Sequence, residues 1–149
     1  MGPAVQTIGA RAFFRTKLTG LDLSEATSLV RIGDGAFQYT GLAGTLVILA
    51  TVASIGQSAF RNTELTALDL SKATSLVEIG ALAFQDTGLQ GTLLIPSRVT
   101  KIGSEAFSYT ELTGLDLSGA TSLVEIGAWA FSATDLQGTL VIPLSLIHI

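Results

Sequence analysis

The chain repeats itself six times, and this limits the folds open to it more than any other feature. The motif I-G-x-x-A-F-x-x-T-x-L begins at Ile8, Ile32, Ile55, Ile79, Ile102 and Ile126, in steps of 24, 23, 24, 23 and 24 residues. Two kinds of unit alternate, so the true period is 47 residues. Units beginning at Ile8, Ile55 and Ile102 continue as L-T-x-L-D-L-S-x-A-T-S-L-V. Those beginning at Ile32, Ile79 and Ile126 continue as L-x-G-T-L-x-I, closed by Pro96 and Pro143 in the last two and by Leu49 in the first. A unit this short cannot cover its own apolar side. It has to be covered by a neighbour of the same shape, and about three or more such units are needed before the stack is stable.

The residue pattern predicts how one unit is wound. Leu68-Asp69-Leu70 and Leu46-Val47-Ile48 read as one short strand per coil. Alternation across a strand turns their first and third residues inward and the middle one outward. Val52, Ile55, Ala59 and Phe60, with their equivalents, complete the interior. Phe13, Phe37, Phe60, Phe84, Phe107 and Phe131 fall in one column, outside which only Phe14 lies. The glycine after each motif isoleucine, Gly56 among them, is expected to turn the chain through positive φ. The segment that follows is expected to form one helical or 3₁₀ turn. Thr16, Thr40, Thr63, Thr87, Thr110 and Thr134 are expected to bond backbone groups at the next corner. Tyr39, Tyr109 and Trp129 occupy variable positions beside the Ala-Phe pair, where burial by an adjacent coil is expected.

Leucines at Leu65-x-x-Leu68-x-Leu70 and Leu112-x-x-Leu115-x-Leu117, a period between 20 and 29 residues, and the I-P, V-x-x-I-G and A-F elements together resemble the BspA-like leucine-rich repeats of bacterial and protist surface proteins. The resemblance runs from Val5 to Pro143. It implies a right-handed leucine-rich-repeat solenoid of about six coils. It also implies adhesion or matrix contact at a cell surface or outside the cell. The chain departs from the family at the third residue after each phenylalanine, where threonine stands in place of the frequent cysteine.

Residues 1–143 read as a single piece of such a solenoid, with flanking repeats of the same chain as neighbours, because neither end has a polar cap. Leu144–Ile149 match one reading frame of a transposon-end sequencing adapter and are expected to be foreign to the natural protein. The one histidine, His148, lies in that tail. Met1-Gly2-Pro3-Ala4-Val5 has neither the basic stretch nor the apolar core of a signal peptide. The longest apolar run, Leu46 to Ala50, is far short of the ~20 residues that span a bilayer, so no membrane insertion is expected.

Composition narrows the chemistry. Charged residues are 13% of the chain and the formal net charge is −4, which leaves no basic surface for nucleic acid. No cysteine is present, and residues 1–143 hold no histidine. Zinc ligation and an imidazole-assisted nucleophile are therefore unsupported, and no cofactor is expected. Charge is unevenly spread. Residues 8–54 hold four basic and three acidic residues, 55–101 hold four of each, and 102–143 hold five acidic and no basic ones.

The candidate ligand-binding residues are the outward members of the expected strands: Asp22, Val47, Asp69, Leu94, Asp116 and Val141. The aspartates recur every second coil, about 10 Å apart, too far to share a calcium ion. The spacing also just misses the carboxylate separation of an inverting glycosidase, and an open sheet offers no cleft. Catalysis is not expected. The row reads as a face that binds a protein or glycan, or, because it is so uniform, as the surface of a passive stalk.

Overall fold

The computed structural model describes residues 4–147. Met1–Pro3, His148 and Ile149 lie outside the described residues, and with them the start of the segment read for a leader and the lone histidine.

The repeated isoleucine organises the stack. With the residue before it, each motif isoleucine forms a two-residue strand: β1 (Thr7–Ile8), β2 (Arg31–Ile32), β4 (Ser54–Ile55), β6 (Glu78–Ile79), β8 (Lys101–Ile102) and β10 (Glu125–Ile126). These six pair in that order as one parallel sheet, every isoleucine level with the next. The chain thus completes five turns between β1 and β10, in agreement with the expected coil stack.

The leucine segments behave differently from expectation. β3 (Ala43–Val47) pairs only with β5 (Glu64–Asp69), and β7 (Gln90–Leu94) only with β9 (Glu111–Asp116). The interruption begins at a glycine. Ala43 N–H donates to Thr19 O of the preceding coil at 3.1 Å. Gly44 then takes φ of +77°, which rotates the following peptides toward the next coil instead. There the register slips, with Gly44 opposite Leu65 but Thr45 opposite Ala67. Gly91 repeats both features. Left-handed backbone beside a bulge is glycine's ordinary role. The leucine face is therefore a set of coil pairs, and Leu21–Leu23 and Leu140–Ile142 form no strand.

The motif glycines serve another purpose than the expected turn. None of Gly33, Gly56, Gly80, Gly103 and Gly127 has positive φ. Instead, a Cβ added at Gly103 would lie 2.3 Å from Ala81 N, and one at Gly80 would lie 2.6 Å from Gly56 C. These glycines let successive coils approach along the long sheet. Gly9, in the outermost coil, has nothing within 4 Å of such a Cβ.

The G-x-x-A-F segments wind as consecutive turns rather than a helical or 3₁₀ turn; the only helix among the described residues is α1 (Leu144–Ile147). Two residues per coil, third and seventh after the motif isoleucine, are left-handed, yet only Gly35 of these twelve is glycine. The rest include Arg11, Tyr39, Leu82 and Trp129, with φ between 52° and 61° across the set. Such backbone costs an L-residue roughly 1–2 kcal/mol. In the first five coils the turned amides are used. Ser58, Phe60 and Asn62 N–H donate to Ala81, Ala83 and Gln85 O of the next coil at 2.8, 2.8 and 2.9 Å. The same three bonds recur at all five coil junctions.

The interior follows the sequence reading closely. Leu46, Ile48, Val52, Ile55, Ala59 and Phe60 are all buried. The six phenylalanine rings stack face to face, centroids 5.1–5.4 Å apart. Each column threonine donates its hydroxyl to the phenylalanine carbonyl three residues earlier, at 2.8–2.9 Å.

Candidate functional site

The candidate row is brought together only in part. Val47 stands level with Asp69 and Leu94 with Asp116, as direct neighbours on paired strands. Asp22 and Val141 belong to the two outermost coils and have no strand partner among the described residues. Leu94 is 49% and Val141 70% exposed, whereas Val47 is half-buried.

The aspartates are tied to their own backbone. Asp22, Asp69 and Asp116 each accept a hydrogen bond from the N–H two residues on, at Ser24, Ser71 and Ser118, over 2.8–2.9 Å. The Ser24 N–H holds the Asp22 carboxyl below the usual range, helped by that serine's hydroxyl. For Asp69 and Asp116 the serine hydroxyl is the larger influence and the serine N–H the second. A carboxyl stabilised as its anion is a poor proton donor at neutral pH. The recurring D-L-S thus closes the turn after the strand.

A second outward surface lies over the long sheet. The residue before each motif isoleucine points out, giving the series Thr7, Arg31, Ser54, Glu78, Lys101 and Glu125. A shallow groove of about 410 Å³ runs along it from Arg31 to Glu125, with Asp34 and Gln57 on one wall and Gly56, Gly80 and Gly103 in the floor. The floor is backbone because the closely packed coils admit no side chain at those glycines. Lys101 pairs with Glu125 at 3.6 Å, and Asp34 Oδ1 accepts the Gln57 N–H at 3.0 Å. Arg31 and Glu78 are exposed and make no ion pair among the described residues. The pattern reading missed this row because it assigned the strand to the leucines. Its only signal in the sequence is a variable residue before each I-G.

The two tyrosines and the tryptophan are exposed, contrary to expectation: Tyr39 by 41%, Tyr109 by 62% and Trp129 by 74%. They occupy left-handed positions. At the first coil Arg15 lies over the rings of Phe14 and Tyr39, at 5.3 and 5.4 Å, and Arg11 over Phe14 at 5.7 Å. Among the described residues no helix is long and apolar enough to cross a membrane.

A family model described as BspA type leucine rich repeat region matches the chain in six copies, over residues 2–90 and 30–149. No curated protein and no solved structure matches the chain.

Proposed function

The chain belongs to the BspA-type leucine-rich-repeat family, and from that premise we propose that it is a non-catalytic recognition module of a surface or secreted protein, binding a protein or glycan through the groove over its long sheet. The observation that carries this reading is the contrast between the two outward rows. The leucine-side row repeats acid and aliphatic with little change. The row over the long sheet breaks the 47-residue period, with Thr7, Ser54 and Lys101 in one kind of coil and Arg31, Glu78 and Glu125 in the other. A scaffold varies where it recognises and repeats where it packs. Arg31 and Glu78 leave both signs of charge open above a peptide floor, which suits a polar ligand carrying donors and acceptors.

The test is a screen of immobilised chain against surface glycans and matrix proteins, followed by two sets of substitutions. Arg31→Ala with Glu78→Ala is expected to abolish binding of any ligand found, and Asp22, Asp69 and Asp116 changed together to Asn to leave it intact. The reverse outcome places the ligand on the leucine side. The uniformity of the aspartate and aliphatic row favours a second reading, a passive stalk, which predicts no ligand in the screen and no effect of either set.

A further inference from the structure

We propose that the groove over the long sheet receives the carboxylate of a sugar acid on the backbone amide of Ser104, in the room left by the short side chain of Ala81 one coil before. This inference rests on the groove reading and names its ligand.

The amides of the groove floor lead to it. At each motif glycine the chain sends one amide to the preceding coil and, two residues on, another to the following coil. Gly80 N–H donates to Ile55 O and Gly103 N–H to Ile79 O, both at 2.8 Å. Leu82 N–H donates to Ser104 O and Glu105 N–H to Ala128 O, both at 2.9 Å. The amide between these two serves neither neighbour. It belongs to Asp34, Gln57, Ala81 and Ser104 in the four successive coils that line the groove. Of these, Asp34, Ala81 and Ser104 N–H have no protein acceptor among the described residues. A backbone donor is an obligatory hydrogen-bonding group, satisfied by solvent or ligand where the chain does not satisfy it.

Gln57 is the exception, and it shows what these amides take. Its N–H donates at 3.0 Å to Asp34 Oδ1, from the residue at the same position one coil earlier. That oxygen lies 2.5 Å from where a Cβ of Gly56 would stand, so the glycine makes the room for the carboxylate. At Ser104 the glycine is kept, as Gly103, but the residue one coil earlier is Ala81. A methyl group stands there in place of the carboxylate, and a ligand's carboxylate completes the arrangement that Asp34 makes within the chain. A carboxylate accepting a backbone N–H forms a charge-assisted bond, stronger than a neutral one. Lys101, on the same coil as Ser104, lines the groove too and keeps its side chain 44% exposed beside Glu125.

The rest of the lining decides what carries the carboxylate. Ser54, Gln57, Glu78 and Ser104 supply hydroxyl, amide and carboxylate groups, and besides Ala81 the only apolar side chain is the buried Ile55. Protein ligands are held by large anchors in well-packed pockets, which this lining does not provide. Sugar hydroxyls both donate and accept, so they suit Glu78 as acceptor and Ser54 and Gln57 as donors. Glu78 and Glu125 also repel a polyanion. The ligand class is therefore a glycan with isolated acidic sugars rather than a continuous run of them.

The experiment is titration of the ¹⁵N-labelled chain, followed by its amide spectrum, with a disaccharide holding one glucuronate, with the carboxyl-reduced disaccharide, and with an acidic peptide. The Ser104 amide proton is expected to move downfield with the glucuronate disaccharide and to stay in place with the reduced one. Ala81→Asn puts a side-chain oxygen where Asp34 holds its own and adds no charge. It is expected to shift the Ser104 amide without any sugar and to weaken glucuronate binding by about tenfold or more, the worth of a hydrogen bond to a charged group. Ala81→Gly, which leaves the room, is expected to keep the parental affinity, and the amide spectrum of each variant shows that the fold is retained. Equal binding of the two disaccharides, an unmoved Ser104 amide, or parental affinity in Ala81→Asn overturns the proposal. Its failure is separable from that of the groove reading. An acidic peptide that binds, is lost on Arg31→Ala with Glu78→Ala, and is indifferent to Ala81→Asn overturns the sugar acid and leaves the groove standing. Glucuronate binding that survives all of these substitutions overturns both.

Discussion

Gly80→Ala and Gly9→Ala make the same change at the same motif position in two surroundings. At Gly80 the new Cβ would stand 2.6 Å from Gly56 C, 2.7 Å from Gln57 N and 2.8 Å from Gly56 O, all of them backbone. Ordinary contact begins at 3.4 Å, so the two coils must part by roughly 0.8 Å, a sixth of the ~4.8 Å strand spacing. That displacement takes the Gly80 N–H to Ile55 O bond from 2.8 Å to about 3.6 Å, beyond useful hydrogen-bond length. One lost backbone bond costs ~1 kcal/mol, and forcing a methyl into a filled site a further ~1–3 kcal/mol. Gly80→Ala is therefore expected to destabilise the chain by about 2–4 kcal/mol. Gly9 has nothing within 4 Å of the added atom and ordinary φ. There the reduced freedom of the unfolded chain leaves alanine neutral or stabilising by up to ~1 kcal/mol. Urea unfolding followed by far-ultraviolet circular dichroism separates the two, because an m-value of ~1–3 kcal/mol/M turns the difference into a midpoint shift of about 0.7 M or more. Equal midpoints for the two variants would refute the claim that these glycines exist for coil approach.

Two further expectations concern the backbone and the carboxylates. Ala133 is exposed and left-handed, with φ of 52°, so Ala133→Gly is expected to stabilise by about 1 kcal/mol; a lower thermal midpoint for this variant would contradict the account of the left-handed rows. The folded carboxyls of Asp22, Asp69 and Asp116 titrate below their unfolded range. The stability they contribute is present above the unfolded pKa and is lost as pH falls through the folded one. Thermal midpoints should accordingly fall below pH ~4, less steeply with all three changed to Asn, and coincident acid limbs would show that the serine contacts do not form in solution.

Much of the architecture was legible because period and residue type agree. Six copies of one motif demand stacked coils, and the phenylalanine column, the inward leucines and the threonine hydroxyls all take their expected places. Pattern reading failed where backbone geometry is carried by residues that do not advertise it. Arg11, Tyr39 and Leu82 give no hint of left-handed φ, because what selects it is an amide hydrogen bond to the next coil. Gly80 was misassigned for the complementary reason: glycine signals absence of a side chain, and here the need was space rather than torsion. The break in the leucine face follows from Gly44 and Gly91, which switch their segments from one neighbour to the other. Of the candidate row, outward placement was readable, and the D-L-S spacing held the signal for the serine contacts. The groove was hidden because Arg31, Glu78, Lys101 and Glu125 read as ordinary solvated charges until their strands are seen to be the continuous ones.

The pairing of β3 with β5 and of β7 with β9 bears on how a gene for such a chain can change length. Duplicating a single coil of the β3 kind, or deleting one of the β5 kind, would set two bulged segments side by side and leave one without the partner its glycine turns it toward. Removing or adding a whole couple leaves every junction as before. Alleles of different length are thus expected to differ by multiples of 47 codons, and unequal recombination between the couples is the route by which the array would lengthen without a folding penalty.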